Sequence, residues 1–194
     1  MRTNQDFKNA ALSALKGSWP QAVIATFVIL LLFSLSEAYE YVPGSIVVIA
    51  SSVISLLVLP VVVGYVNSLS RLYYQSDKNL FHNTLTLTFN GFFRSLLAMF
   101  LMSLVVAVLT LLLIVPGVIA SMAFYLTPYL LKDNPELSII DTLRLSRKMM
   151  RGHKMQLFCL QLSFIGWILL SMLTLGIGML WLMPYMMTTM AAFY

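Results

Sequence analysis

Charge is scarce in this chain, and it is absent altogether from long stretches. Only 10% of the 194 residues are charged, and Asp and Glu together number seven. Soluble domains carry roughly 25% charged residues, so a water-facing surface cannot be assembled here, and an integral membrane protein is the expected class. A single cysteine, Cys159, excludes an intrachain disulfide. Its apolar neighbours make a small hydrophobe the default reading. Two histidines, His82 and His153, lie far apart without a paired cysteine or carboxylate, which argues against a zinc site. No phosphate-binding glycine loop, G-x-S-x-G or H-E-x-x-H motif occurs. No catalytic residue, metal ligand or cofactor is therefore expected, and the chain is read as non-enzymatic.

What is present is hydrophobic length. From Met155 to Tyr194 forty residues carry no charged side chain. About 20 residues cross a bilayer as a helix, so this run predicts two crossings that turn at Leu175-Gly176-Ile177-Gly178. Ser95 to Leu131 is likewise uncharged. There Val115-Pro116-Gly117 is the predicted turn between arms Ser95–Ile114 and Val118–Leu131. Trp19 to Ser36 forms a first span; its amphipathic lead and lack of an A-x-A site favour an uncleaved helix over a signal peptide. The chain then turns at 37–44, with Glu37, Glu40, Tyr39 and Tyr41 at the interface. Ser45 to Tyr65 crosses back.

Each pair of spans follows a short interfacial segment. Asn4 to Lys16 places Phe7, Ala10, Ala11, Ala14 and Leu15 on one helical face, with Asn4 as N-cap and Gly17 as the stop. Residues 77–94 show the alternation Leu85-Thr86-Leu87-Thr88-Phe89, which reads as a strand by period. A lone strand beside a bilayer leaves its edges unpaired, and Leu80, Phe81, Thr84 and Leu85 also fit a helix ending near Gly91. The third segment, Asn134 to Arg151, starts with Asn134 as cap, Pro135 at the first position and Glu136 at the positive helix end. Ile139, Ile140, Leu143, Ser146 and Met150 share one face; Asp141, Arg144, Lys148 and Arg151 share the other, with Leu145 an exception on the polar side.

The fold expected is all-α and polytopic: six transmembrane helices as three hairpins, each preceded by a cytoplasmic interfacial helix. The twelve Lys and Arg then fall on one side, in clusters from Arg2 to Lys16, Arg71 to Arg94 and Lys132 to Lys154. Positive charge marks that side, and both termini, as cytoplasmic. From Gly17, Gly91 and Gly152 to the turns at Pro43, Pro116 and Gly176 the distances are 26, 25 and 24 residues. Within one membrane domain, 1–194, this spacing suggests three diverged repeats, 4–66, 78–131 and 134–194. Bilayer thickness alone would also produce similar lengths.

Two groups of residues are candidates for function. Arg144, Arg147, Lys148, Arg151 and Lys154 form a basic cluster suited to lipid phosphates; setting topology is the plainer role for the same charges. The return arms each carry a proline, Pro60, Pro128 and Pro184, which frees a carbonyl that lipid cannot satisfy. These prolines should face other helices or a cavity, and packing kinks are the plainer reading. Gln161, well immersed along its helix, suits an interhelical hydrogen bond. The spans hold no ionisable group for ion coupling. The expected partners are membrane lipids and a membrane protein partner, and the basic balance does not point to nucleic acid.

Ser146-Arg-Lys-Met-Met-Arg-Gly-His-Lys154, Leu162-Ser-Phe-Ile-Gly-Trp167, Thr174-Leu-Gly-Ile-Gly178 and Leu182-Met-Pro-Tyr185 resemble the bacterial membrane family catalogued as domain of unknown function 975. Ile114-Val-Pro-Gly117 and the segment from Tyr129 to Asn134-Pro135 fit as well. The resemblance is strong from Ile114 to Tyr194 and weaker before. It implies a bacterial, multi-span inner or plasma membrane protein and carries no activity. The expected function is a membrane-embedded binding or regulatory module acting on anionic lipid or a partner protein. The alternative is a small-molecule or lipid transporter with a cavity between kinked arms.

Overall fold

The computed structural model describes residues 3–37 and 45–194. The predicted first turn lies outside the described residues apart from Glu37. Among the described residues all regular structure is helical. The order is α1 Asn4–Leu15, α2 Trp19–Ser36, α3 Ser45–Gln75, α4 Leu80–Phe89, α5 Phe92–Leu112, α6 Ile114–Ala123, α7 Thr127–Asp133, α8 Ile139–Met149, α9 Lys154–Leu162, α10 Ile165–Leu173 and α11 Met179–Phe193.

Three stretches are long and apolar enough to cross a membrane: Val47–Gln75, Phe92–Leu111 and Lys154–Leu173, the last spanning α9 and α10. The α1–α2 pair, bent by 100°, is a fourth if counted as one broken span. Large apolar side chains are exposed along these helices, Leu111 at 88% and Leu173 at 81% among them. A soluble monomer rarely shows so much contiguous apolar surface; hydrocarbon is the solvent that accommodates it.

Segment 80–89 is a helix, not a strand. Its threonines satisfy themselves inside it: Thr84 and Thr88 donate to the carbonyls of Leu80 and Thr84 (both 2.7 Å). α4 packs so tightly on α3 that a Cβ on Gly64 would lie 2.7 Å from the Thr84 carbonyl oxygen.

Several predicted boundaries move. Thr3, not Asn4, caps α1: its Oγ1 accepts from the Asp6 N–H (3.3 Å), and the Asp6 carboxylate accepts from the Thr3 N–H (2.7 Å). This reciprocal box outcompetes a one-sided cap. α3 runs ten residues past Tyr65, because nothing after Tyr65 breaks the helix before Ser76, at φ +55°. The second hairpin breaks at Leu113, leaving Pro116 within the first turn of α6, where a missing N–H costs nothing. The return arm of that hairpin is two helices, α6 and α7, divided at Phe124–Leu126. Asn134 ends α7 instead of starting α8, its N–H donating to Leu130 (2.9 Å). α8 starts after Ser138, whose Oγ accepts from the Asp141 N–H (3.1 Å). That later start rotates the inward stripe. Thr142, Ser146 and Met150 are buried, Ile140 is 57% exposed, and Leu145 packs on the core.

Gly17, Gly91 and Gly152 adopt one conformation, φ +86°, +85° and +85°. Each is a left-handed stop that a side chain would strain. The predicted turn at 175–178 is present, with Leu175 and Gly176 at φ +55° and +84°. Contacts between helices run in a closed cycle: α2 touches α4, α5 touches α8, and α9 touches α1; α3 touches α5, α6 touches α9, and α11 touches α2. One buried cluster includes Phe7, Leu130, Met150, Leu157, Leu160 and Phe164. A second includes Leu15, Ile29, Tyr65, Leu69 and Leu80.

Candidate functional site

Arg144, Arg147, Lys148 and Arg151 follow the i, i+3, i+4, i+7 pattern that puts side chains on one helical stripe. In the fold they surround a single surface depression of about 330 Å³. α8 exposes this stripe because its opposite face, through Thr142, Ser146 and Met150, is fixed to the core; the Ser146 hydroxyl donates to the Ala123 carbonyl (3.0 Å). Arg147 and Lys148 occupy the last turn, where cations complement the helix dipole. Arg144 reaches the Asp141 carboxylate at 3.3 Å. Lys154, the fifth member, begins α9 and is half-buried away from the depression.

The three prolines sit in three different helices. Pro60 and Pro184 are buried inside α3 and α11. Pro128 is half-buried in the first turn of α7 and so opens a helix; its carbonyl accepts from the Asn67 amide (3.1 Å). The Pro184 carbonyl accepts from the Thr188 hydroxyl (2.7 Å). Gln161 is half-buried near the end of α9.

Two cations overlooked in the sequence join segments remote in the chain. The Arg94 guanidinium donates to the carbonyls of Asn134 (2.8 Å) and Leu137 (2.6 Å), and to that of Pro135. It therefore satisfies the helix-free stretch before α8. The Lys8 ammonium donates to the Ser163 carbonyl (3.0 Å) and stands 4.4 Å above the Phe164 ring. It caps the point where α9 ends and α10 has not begun, a place where lipid offers no donor. Asp77, between α3 and α4, is shifted down chiefly by the Asn83 amide and then by the Asn79 N–H. Spacing could have flagged Lys8, one turn before Leu12 on α1. Nothing local marks Arg94 as a carbonyl clamp.

Two hollows are well formed. One, of about 360 Å³ and almost entirely apolar, is lined by Trp19, Trp167, Trp181, Leu12, Leu170 and Tyr185 among others. These include all three tryptophans of the chain. The other, of about 510 Å³, is more polar and lies among Phe7, Tyr74, Met150, His153, Gln156 and Tyr194. The Tyr194 hydroxyl at its edge donates to the Asp133 carboxylate (2.6 Å). Among the described residues no three His, Cys, Asp or Glu side chains come together as metal ligands.

A family model described as protein of unknown function (DUF975) matches residues 95–194, just over half of the chain. The match begins before Ile114, so it also takes in most of α5. No curated protein and no solved structure matches the chain.

Proposed function

The chain belongs to this family of proteins of unknown function, and from that premise we propose a membrane-embedded, non-enzymatic binding or regulatory module that holds anionic lipid headgroups through α8. The observation that carries this reading is the convergence of Arg144, Arg147, Lys148 and Arg151 on one depression. Among the described residues, only Arg144 of the four has a carboxylate within ion-pair distance. Each cation near an anionic surface contributes about 1 kcal/mol, so four supply roughly 4 kcal/mol before screening.

The topology we infer is six spans in three hairpins, with both termini and all three cation clusters on the cytoplasmic side of a bacterial plasma membrane. Arg94 supports this arrangement, because its grip on the carbonyls of 134–137 holds the second and third clusters at one end of the molecule. The shared conformation of Gly17, Gly91 and Gly152 and the cyclic contacts support three repeats, 4–66, 78–131 and 134–194. A packed interior favours a module over a transporter: Tyr65, Leu69, Leu130 and Met190 are almost wholly buried between the return arms. A membrane protein partner would meet the same cytoplasmic face.

The test is native mass spectrometry of the protein released from bilayers containing phosphatidylglycerol. Retained anionic lipid is expected, and its loss in an Arg144→Gln, Arg151→Gln double variant. Unchanged retention in that variant refutes the headgroup site. Exterior labelling of a cysteine placed at Arg94 or Lys148 would refute the topology.

A further inference from the structure

Lys16 ends α1 and Lys78 follows α3, yet both line one depression of about 280 Å³ on the seam between those helices. On α8 the spacing of a single helix is enough to gather cations. Here the tertiary fold does it. Gly17, left-handed at φ +86°, turns the chain out of α1, and the Lys78 ammonium lies against it, 3.6 Å from where a Cβ would stand. Ser76, a non-glycine residue at φ +55°, folds the chain back after α3. The stretch it leads into is then pinned. The Asp77 carboxylate accepts from the Asn79 N–H (3.1 Å) and the Asn83 amide (2.8 Å), and the Leu80 N–H donates to the Gln21 side chain on α2 (3.4 Å). Lys78 is thereby held at the α1–α2 corner.

Three observations define the ligand. The first is charge. Like charges brought to one place repel, and among the described residues no carboxylate lies within ion-pair distance of either lysine. Asp77, the neighbour of Lys78 in sequence, is engaged by Asn79 and Asn83 and lines no part of the depression. The last turns of α1 and α3 both border it, and each helix end contributes about half a negative charge. Two ammonium groups exceed that by roughly one positive charge, which a singly charged anion neutralises.

The second is the wall. It is mostly polar, and beside the ammonium groups it holds the hydroxyls of Tyr73 and Ser76, which can donate to an anion. Ser13 also borders it, with its own proton given to the Ala10 carbonyl (2.7 Å). Pockets for whole apolar ligands run from about 300 to 1,000 Å³, so this space takes a small polar head instead.

The third is depth. Lys16 stands just before α2, and Lys78 just after the apolar stretch Val47–Gln75. The depression therefore lies where a membrane-crossing stretch ends, at the level of lipid headgroups. That placement uses neither the α8 cations nor the choice of membrane side.

We propose that Lys16 and Lys78 bind the phosphodiester of one anionic glycerophospholipid, at a headgroup site separate from α8. A zwitterionic lipid brings the same phosphate with a cationic group of its own, which two lysines repel. The bound headgroup touches α1 and the link between α3 and α4 at once, so it ties the first interfacial helix to the second.

Lysine acetylation, read residue by residue by mass spectrometry, tests this in the full-length protein in nanodiscs. Replacing part of the phosphatidylcholine with phosphatidylglycerol is expected to slow acetylation of Lys16 and Lys78 about fivefold, the value of one cation at an anionic surface. That slowing should exceed any change at Lys132, which lies outside the depression and reports the general effect of the surface. Lys16→Gln should release Lys78 from protection, since one headgroup spans both, and Lys16→Arg should preserve it. Arg144→Gln with Arg151→Gln should leave the protection intact; its loss there would assign the effect to α8 and overturn a separate site.

Equal slowing at Lys16, Lys78 and Lys132 in the unaltered chain overturns the proposal, and that comparison needs no variant to fold. Protection of Lys78 that survives Lys16→Gln overturns it as well. Glycerol 3-phosphate added to discs of phosphatidylcholine alone should protect far less than phosphatidylglycerol does. Equal protection would identify a soluble phosphate ester as the ligand and overturn the assignment to a bilayer lipid.

Discussion

The second and third hairpins use the same joint and then diverge. In each, a hydroxyl residue on the first helix meets a glycine seven positions later: Thr110 with Gly117, and Ser171 with Gly178. A side chain at either glycine would overlap the facing residue, the nearest Cα lying 2.8 Å and 3.0 Å away. Beyond the joint, α5 and α6 stay packed together, while α10 and α11 separate around the tryptophan-lined hollow. A small residue at a turn fixes how closely two helices approach there. It does not fix their angle. The angle is set by what each arm meets next: α6 meets α9, whereas α11 packs on α1, α2 and α3 and is drawn away from α10.

The contrast breaks most visibly at the two glycines. Gly117→Val should cost about 3 kcal/mol, the upper range for overpacking a contact whose partners cannot yield. Gly178→Val should cost roughly half as much, because α10 and α11 can swing apart into the hollow. Thermal unfolding of the two variants in one detergent measures the difference. Equal losses would mean the third hairpin has no slack, and the hollow would then be rigidly walled.

The two bridging cations provide the next contrast. Arg94→Leu strands the carbonyls of Asn134, Pro135 and Leu137, a loss of about 3 kcal/mol for charge-assisted bonds. Arg94→Lys should recover little of it, since an ammonium lacks the planar fork that reaches several acceptors at once. Lys8→Met strands one carbonyl and removes one ring contact, about 1–2 kcal/mol. The unfolding midpoint should therefore fall further for Arg94→Leu. The reverse order would make the contact of α1 with the α9–α10 break count for more than the grip of Arg94 on the stretch before α8.

What the residues made legible was periodicity and punctuation. The helical stretches, the left-handed glycines and the turn at 175–178 follow from apolar length and from the φ that only glycine adopts cheaply. Helix starts were less legible, because capping depends on which hydroxyl or carboxylate wins a local competition. Thr3 with Asp6 defeats Asn4, and Ser138 with Asp141 defeats Asn134. The proline at 116 misled for a related reason. Proline marks a turn in the abstract, yet it is equally at home in the first turn of a helix, and Leu113 supplies the break. The α8 stripe was readable as a spacing of charges. The apolar hollow was not, since it exists only because Leu12, Trp19, Trp167 and Trp181, remote in sequence, are brought around one gap.

The smallest effect belongs to the one polar tie that the third hairpin has and the second lacks. The Thr174 hydroxyl accepts from the Gly178 N–H and donates to the Ser171 carbonyl (2.8 Å), whereas the second turn is closed by main-chain bonds, Leu113 N–H to Leu109 and Gly117 N–H to Leu113 (3.0 and 3.3 Å). Thr174→Val keeps the shape and removes both bonds, at a cost of about 1 kcal/mol. Hydrogen exchange at the Gly178 amide should accelerate, while the turn at Leu113 should keep its protection. The same variant tests whether the joint or the far packing holds the hollow open. If α1 and α2 set the angle of α11, loosening the joint leaves the tryptophan emission unchanged. If the joint sets it, the emission shifts as the hollow collapses, and the contrast between the two hairpins reduces to a single hydroxyl.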